Sequence, residues 1–186
     1  MRYAVGCDHG GFVLKAPLML ELEAQGHEII DLGTNGPESV DYPRYAAHVA
    51  RAILEGRADR GLLLCGTGLG MAMTANKFPG IRAAAVSEPF SARMARRHND
   101  AQILCLGGRV LAEGTAVEVL QAWLAEEFEG GRHERRLALI AELAADARSR
   151  VAAVPTGVTA AAGAAATRAH AEADPPAGDP PSKRRQ

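Results

Sequence analysis

Hydrophobic positions along the first 150 residues follow two periods in turn. Short apolar runs at residues 3–7, 61–65, 82–86 and 103–106, with a more mixed one at 28–32, predict five strands. Leu62, Leu63 and Leu64 are consecutive rather than alternating, which suits a strand covered on both faces. Between these runs the apolar spacing lengthens to three and four. Leu14, Leu18 and Leu22 predict a helix over 12–25, stopped by Gly26. Further helices are predicted over 45–54, 71–78 and 89–98, the last with Pro89 in its first turn. Two more follow: 115–127, with Val117, Leu120 and Leu124 on one stripe, and 132 to about 148, with Leu137, Ile140 and Ala144. A turn-rich loop spans 33–43, and no internal repeat is evident. Strand and helix alternate, so the predicted fold class is α/β: a three-layer αβα sandwich on a five-stranded parallel sheet.

Composition divides the chain. Residues 1–146 carry 15 Lys+Arg and 19 Asp+Glu, a charge of −4; the remaining 40 residues carry 6 and 3, or +3. The mildly acidic first part is no general nucleic-acid binder, and any phosphate site in it must be built from a few local cations. Near Val151 large apolar residues disappear: 152–173 hold 11 Ala, then come Pro pairs and Lys183-Arg184-Arg185. The expected organisation is one domain over 1–150 and a disordered tail over 151–186. Aromatics make up only 4% of the chain, so the core must be Ala, Leu, Val and Ile. Three cysteines without a CxxC pair fit a reducing compartment. With no signal-peptide pattern and no apolar run of membrane-spanning length, a cytoplasmic location without membrane contact is expected.

Ligands of open α/β sheets sit at the carboxyl ends of the strands. Two unusual segments belong there: Cys7-Asp8-His9-Gly10-Gly11 and Cys65-Gly66-Thr67-Gly68-Leu69-Gly70. They should be spatial neighbours. The glycine loop could turn its N–H groups to a phosphate or to an enediolate oxyanion; equally, it could be a tight strand–helix turn with nothing bound. It lacks the Lys of a phosphate-binding Walker loop, and the first turn is too polar for a dinucleotide fingerprint. Cys65 faces these N–H groups, a setting suited to a thiolate base, or else it is a core cysteine like Cys7 and Cys105. Asp8 and His9 await a ligand or a helix-capping role. His98-Asn99-Asp100 belongs at the opposite, amino end of the sheet, either as a turn or as a contribution to a second subunit's site. Arg132 and Arg136 share a helix face and form an anion-binding candidate or a solvated face. No metal site is expected, since no His pair has HxH or HxxxH spacing.

Taken together, Gly6-Cys7-Asp8-His9-Gly10-Gly11-Phe12, Asp41-Tyr42-Pro43, Cys65 to Gly70, Ala75-Asn76-Lys77, Gly80-Ile81-Arg82-Ala83, Ser87-Glu88-Pro89, Arg97-His98-Asn99-Asp100 and Gly130-Gly131-Arg132-His133 closely resemble the ribose-5-phosphate isomerase B family, which includes galactose-6-phosphate isomerase subunits. The resemblance implies a flavodoxin-like or Rossmann-like sandwich, a homodimer or dimer of dimers, and cofactor-free interconversion of D-ribose 5-phosphate and D-ribulose 5-phosphate in the pentose phosphate pathway. It implies Cys65 as general base, Thr67 and Gly66, Gly68, Leu69 and Gly70 as holders of the enediolate, and His98 as the acid that opens the furanose ring. It implies Asp8, His9, Asn99 and Arg109 as sugar and phosphate contacts, Arg132 and Arg136 as a phosphate clamp, and His98 and Asn99 as donated to the other subunit's site. In one branch of the family a Glu after the last loop glycine is the base. Here Met71 holds that position and Cys65 is present, which places the chain in the cysteine branch. The alternatives are an isomerase of galactose 6-phosphate, allose 6-phosphate or a tetrulose phosphate, and a non-catalytic phosphate-binding module.

Overall fold

A computed structural model describes residues 1–153. Five strands, β1 (Arg2–Cys7), β2 (Glu28–Asp31), β3 (Arg60–Cys65), β4 (Ala83–Ala85) and β5 (Ile103–Gly107), form one sheet in the order β2-β1-β3-β5-β4. Every pairing is parallel. The helices are α1 (Phe12–Ala24), α2 (Tyr42–Leu54), α3 (Leu69–Ala75), α4 (Pro89–Arg97), α5 (Glu113–Leu124) and α6 (Arg132–Ala153). The predicted five-stranded parallel αβα sandwich is thus the observed fold.

The two-residue period of each strand sorts its side chains between two cores. Tyr3, Val5, Cys7, Leu62, Leu64, Leu104 and Leu106 face the helices α1, α4 and α5. Ala4, Leu63, Cys65, Ile103 and Cys105 face α2 and α3. Both faces are covered, as the consecutive leucines of β3 require. The chain leaves β1 toward one edge and β3 toward the other, so the crevice between their carboxyl ends is open to a ligand.

Several boundaries differ from expectation. α2 begins at Tyr42, three residues early, because Asp41 takes extended backbone at the cap and Pro43 fits the first turn. α3 starts inside the glycine loop, at Leu69. In α5 the fully buried stripe is Ala116, Val119, Leu120 and Trp123, while Val117 and Leu124 only flank it. α6 carries its apolar residues at the expected spacing, but Leu139, Ile140 and Leu143 are more than half exposed. It continues to Ala153, past the composition change. The rest of the predicted tail lies outside the described residues.

Candidate active site

Three loops meet at the carboxyl ends of β1, β3 and β5. A Cβ on Gly10 would lie 2.8 Å from the Gly66 nitrogen, and one on Gly108 would lie 2.5 Å from the Gly10 carbonyl oxygen. The Gly108 N–H donates to the Cys65 carbonyl (2.8 Å) and that of Arg109 to the Gly66 carbonyl (3.0 Å). Backbone meets backbone here with no room for side chains, which is why the motifs are glycine-rich. The expected adjacency of the first and third strand loops is observed.

Cys65 ends β3, 5% exposed. Its Sγ accepts the Gly68 N–H at 3.1 Å. Gly68 takes φ +79°, a left-handed conformation that turns the chain into α3 beneath the sulfur. A Cβ there would press within 3.0 Å of the Cys105 carbonyl. The first-turn N–H groups of α3, Leu69 and Gly70 among them, have no acceptor within the helix. Leu69 N–H reaches only the Thr67 Oγ1, at 3.4 Å. The Tyr42 ring lies against Gly70. The guanidinium arm of Arg109 passes over Gly66, with its Cδ 3.3 Å from where a Cβ would be.

Asp8 and His9 are held from the side of β1. Asp8 Oδ1 accepts from the N–H groups of Gly10 (2.8 Å) and Gly11 (3.0 Å), so this carboxylate shapes the turn into α1. His9 Nδ1 accepts the Val40 N–H at 3.2 Å, which leaves Nε2 as the protonated nitrogen, free to donate to a ligand. The loop that supplies Val40 is tied to α1 by Lys15, whose Nζ reaches Asp31 Oδ2 (2.6 Å) and the Thr34 carbonyl (2.9 Å). Sequence reading missed both Val40 and Lys15. A backbone donor leaves no trace in residue types, and a lysine inside a helix reads as solvated.

The other two cysteines differ chemically. Burial raises the Cys7 thiol from 9.0 to about 11 and pushes that of Cys105 higher still, with Cys65 a further cause for Cys105. Both are fully buried core residues, as expected of them.

The remaining candidates lie elsewhere. Cys65 pairs with Gly107, the last residue of β5, whereas His98 and Asn99 come before the first, Ile103. At about 3.3 Å per residue β5 sets the two ends roughly 13 Å apart. At the amino end, Asn99 accepts from Arg82 Nε through its carbonyl (2.9 Å), and Asp100, at φ 42°, receives both Arg82 and Arg96. The His98 ring lies 4.1 Å from that of His133 with 5° between their planes. Glu129 Oε2 is 3.6 Å from His98 Nε2 and 3.7 Å from His133 Nε2, while Arg97 Nε holds Oε1 at 2.6 Å. Arg132 and Arg136 open α6 beside this group; both are exposed. Arg136 lines a shallow cavity of about 470 Å³ with Arg135, Ala138, Leu139 and Glu142.

Sequence reading missed the grouping of Glu129 and His133 with His98. The four-residue interval between Glu129 and His133 was visible, but two glycines interrupt it and the third member is remote in sequence. The donor set His98, Glu129 and His133, with ligand atoms within 4.8 Å, is one that transition metals use. Here, however, the two rings are stacked with their planes nearly parallel, so their in-plane lone pairs lie in two separate planes and no one ion sits in both. Arg97 and Arg132 also occupy Glu129 and His133 Nε2.

No helix among the described residues is long and apolar enough to cross a membrane. Residues 3–140 match the family model described as Ribose/Galactose Isomerase. Ribose-5-phosphate isomerase B of Escherichia coli is 48% identical over 139 residues, which are 75% of this chain and 93% of that protein. D-erythrulose-4-phosphate isomerase of Pectobacterium atrosepticum is 43% identical over 132 residues, 70% of this chain and 87% of that protein. The structure of ribose-5-phosphate isomerase B from Clostridium thermocellum superposes with a TM-score of 0.77 at 48% identity, covering 78% of this chain and 99% of that one.

Proposed function

The chain belongs to the ribose/galactose isomerase family and is a sugar-phosphate isomerase, and from that premise we propose that it interconverts D-ribose 5-phosphate and D-ribulose 5-phosphate through an enediolate. The observation that carries the mechanism is Cys65 Sγ taking the Gly68 N–H of the glycine loop, against which the loops bearing Asp8, His9 and Arg109 pack. Cys65 Sγ, as the base, takes the proton from C2 of the open-chain aldose and returns it to C1, while the O2 hydroxyl proton passes to O1. The charge that develops on the substrate oxygens is met by loop N–H groups over 66–70 and by the Thr67 hydroxyl. Loss of one such donor typically costs about 2.7–4 kcal/mol of barrier. Asp8, His9 and Arg109 hold the sugar and phosphate.

This half-site is incomplete alone. The ring-opening acid His98, its neighbour Asn99, and the phosphate-binding Arg132 and Arg136 stand at the far end of the same sheet. In our reading a second copy supplies them, and a two-fold dimer turns one protomer's amino end toward its partner's carboxyl end. The exposed apolar residues of α6 suit burial in such a dimer, which could pair further into a dimer of dimers. Every group needed to move the proton is a side chain or backbone N–H of the protein.

The test is turnover of the purified protein on D-ribose 5-phosphate in EDTA, with hexose and tetrose phosphates alongside. Conversion of the pentose alone supports the reading. A second reading, isomerisation of a tetrulose phosphate, is favoured by the Pectobacterium relative. Preference for the four-carbon substrate would replace the pentose with it and keep the chemistry.

A further inference from the structure

His98 is 33% exposed at the end of α4, a position that leaves an imidazole free to swing. An acid that must meet one ring oxygen cannot swing. Three contacts oppose it. The His133 ring, itself 6% exposed, lies flat against it at 4.1 Å. Glu129 Oε2 stands 3.6 Å from its Nε2, too long for a hydrogen bond but close enough to limit the swing of the ring. The Glu129 N–H in turn donates to the Arg97 carbonyl at 3.0 Å, which pins this segment to the end of α4.

The chemistry of the seat is specific. Arg132 Nε donates to His133 Nε2 at 3.3 Å, so that nitrogen accepts and the His133 proton is on Nδ1. Burial first, then the charges of His98, Arg132 and Arg136, lower the His133 pKa, with Glu129 opposing. A neutral ring therefore lies under His98 and presents its π-face without competing for the same proton. The charged groups around the pair are Arg97 from α4, Glu126, which is 3.7 Å from Arg97, and Glu129, Arg132 and Arg136.

We infer that His133 and Glu129 are positioning residues that seat the His98 imidazole for opening the ring of a cyclic sugar phosphate. The inference rests on the isomerase reading above. In the step they serve, His98 gives a proton to the ring oxygen and the bond from C1 to that oxygen breaks, its electron pair going to the oxygen. The C1 hydroxyl proton leaves to water as the aldehyde forms, and the neutral His98 is reprotonated by solvent. Neither His133 nor Glu129 exchanges a proton with the sugar.

One pair of assays separates this step from the proton transfer at Cys65. D-ribose 5-phosphate closes through O4 and must be opened. D-ribulose 5-phosphate has its O5 phosphorylated and stays open, so uptake of solvent deuterium at its C1 needs no ring opening. His133→Ala and Glu129→Gln are expected to lower conversion of the aldose about tenfold, at nearly constant KM, while deuterium uptake by the ketose stays within about twofold. His133→Phe, which keeps a flat neutral face, is expected to recover most of the loss. Equal losses in both assays, no loss in either, or failure of the Phe variant to recover overturns the inference. A readout without turnover is the NMR shift of the His98 ring protons, moved by the stacked ring. That displacement should vanish in His133→Ala and persist in His133→Phe. Its absence from the native protein overturns the inference whether or not the pentose is a substrate. A native protein inert toward both sugars, with the stacking shift present, faults the isomerase reading instead.

Discussion

The residue proposed as the base, Cys65, is set apart by contrast with two others of its kind. Cys7, Cys65 and Cys105 all end or occupy strands, and all are nearly excluded from solvent. Only Cys65 opens onto the glycine loop and takes an N–H from it. Cys65→Ala is therefore expected to lower kcat by about 10²–10⁴-fold while leaving the affinity for a phosphate ligand within about twofold, because it removes the base and leaves the clamp. Steady-state kinetics together with calorimetric titration of an unreactive sugar phosphate check this. A Cys65→Ala enzyme with native turnover would remove the cysteine from the mechanism. The core thiols give a second expectation. Cys7 binds its proton more tightly in the fold (about 11) than in the unfolded chain (9.0), because of burial. Folding is thus favoured fully below pH 9, and this contribution fades as the pH rises from 9 to about 11. Melting temperature should fall across that window. The fall should be shallower in Cys7→Ala, even though that variant starts from lower stability; parallel slopes would contradict the assignment.

At the scale of elements, periodicity revealed nearly all strands and helices, because each is covered by neighbours close in the same sandwich. It also revealed the meeting of the first and third strand loops, since parallel strands put their carboxyl ends together. It failed where partners are remote. The spacing of Leu137, Ile140 and Ala144 announced an amphipathic helix, but period alone does not say whether a neighbour exists, and α6 leaves Leu139, Ile140 and Leu143 uncovered. It failed likewise at His98, whose companions Glu129 and His133 arrive through the turn between α5 and α6. Arg136 lies one turn into this exposed helix. In the proposed clamp it binds phosphate and does no chemistry, so Arg136→Ala is expected to raise KM about tenfold or more with kcat little changed. A drop in kcat at constant KM would place it with the reacting atoms instead.

For the whole molecule, the parallel sheet itself divides the proposed site. Cys65, Thr67, Asp8, His9 and Arg109 stand at one end of β3 and β5, and His98, Asn99, Arg132 and Arg136 at the other. A single protomer cannot bring them together without unmaking the strands, so the account requires two copies that exchange halves. That requirement is tested by complementation. Cys65→Ala and His98→Ala proteins, each nearly inactive alone, are unfolded together, refolded, and assayed on D-ribose 5-phosphate. In a mixed dimer one site carries both substitutions and the other carries none. The account predicts that activity returns on mixing, to roughly a quarter of native if the chains pair at random. A mixture that forms mixed dimers yet stays as inactive as its parents would show that each chain builds its own site, and would contradict the account.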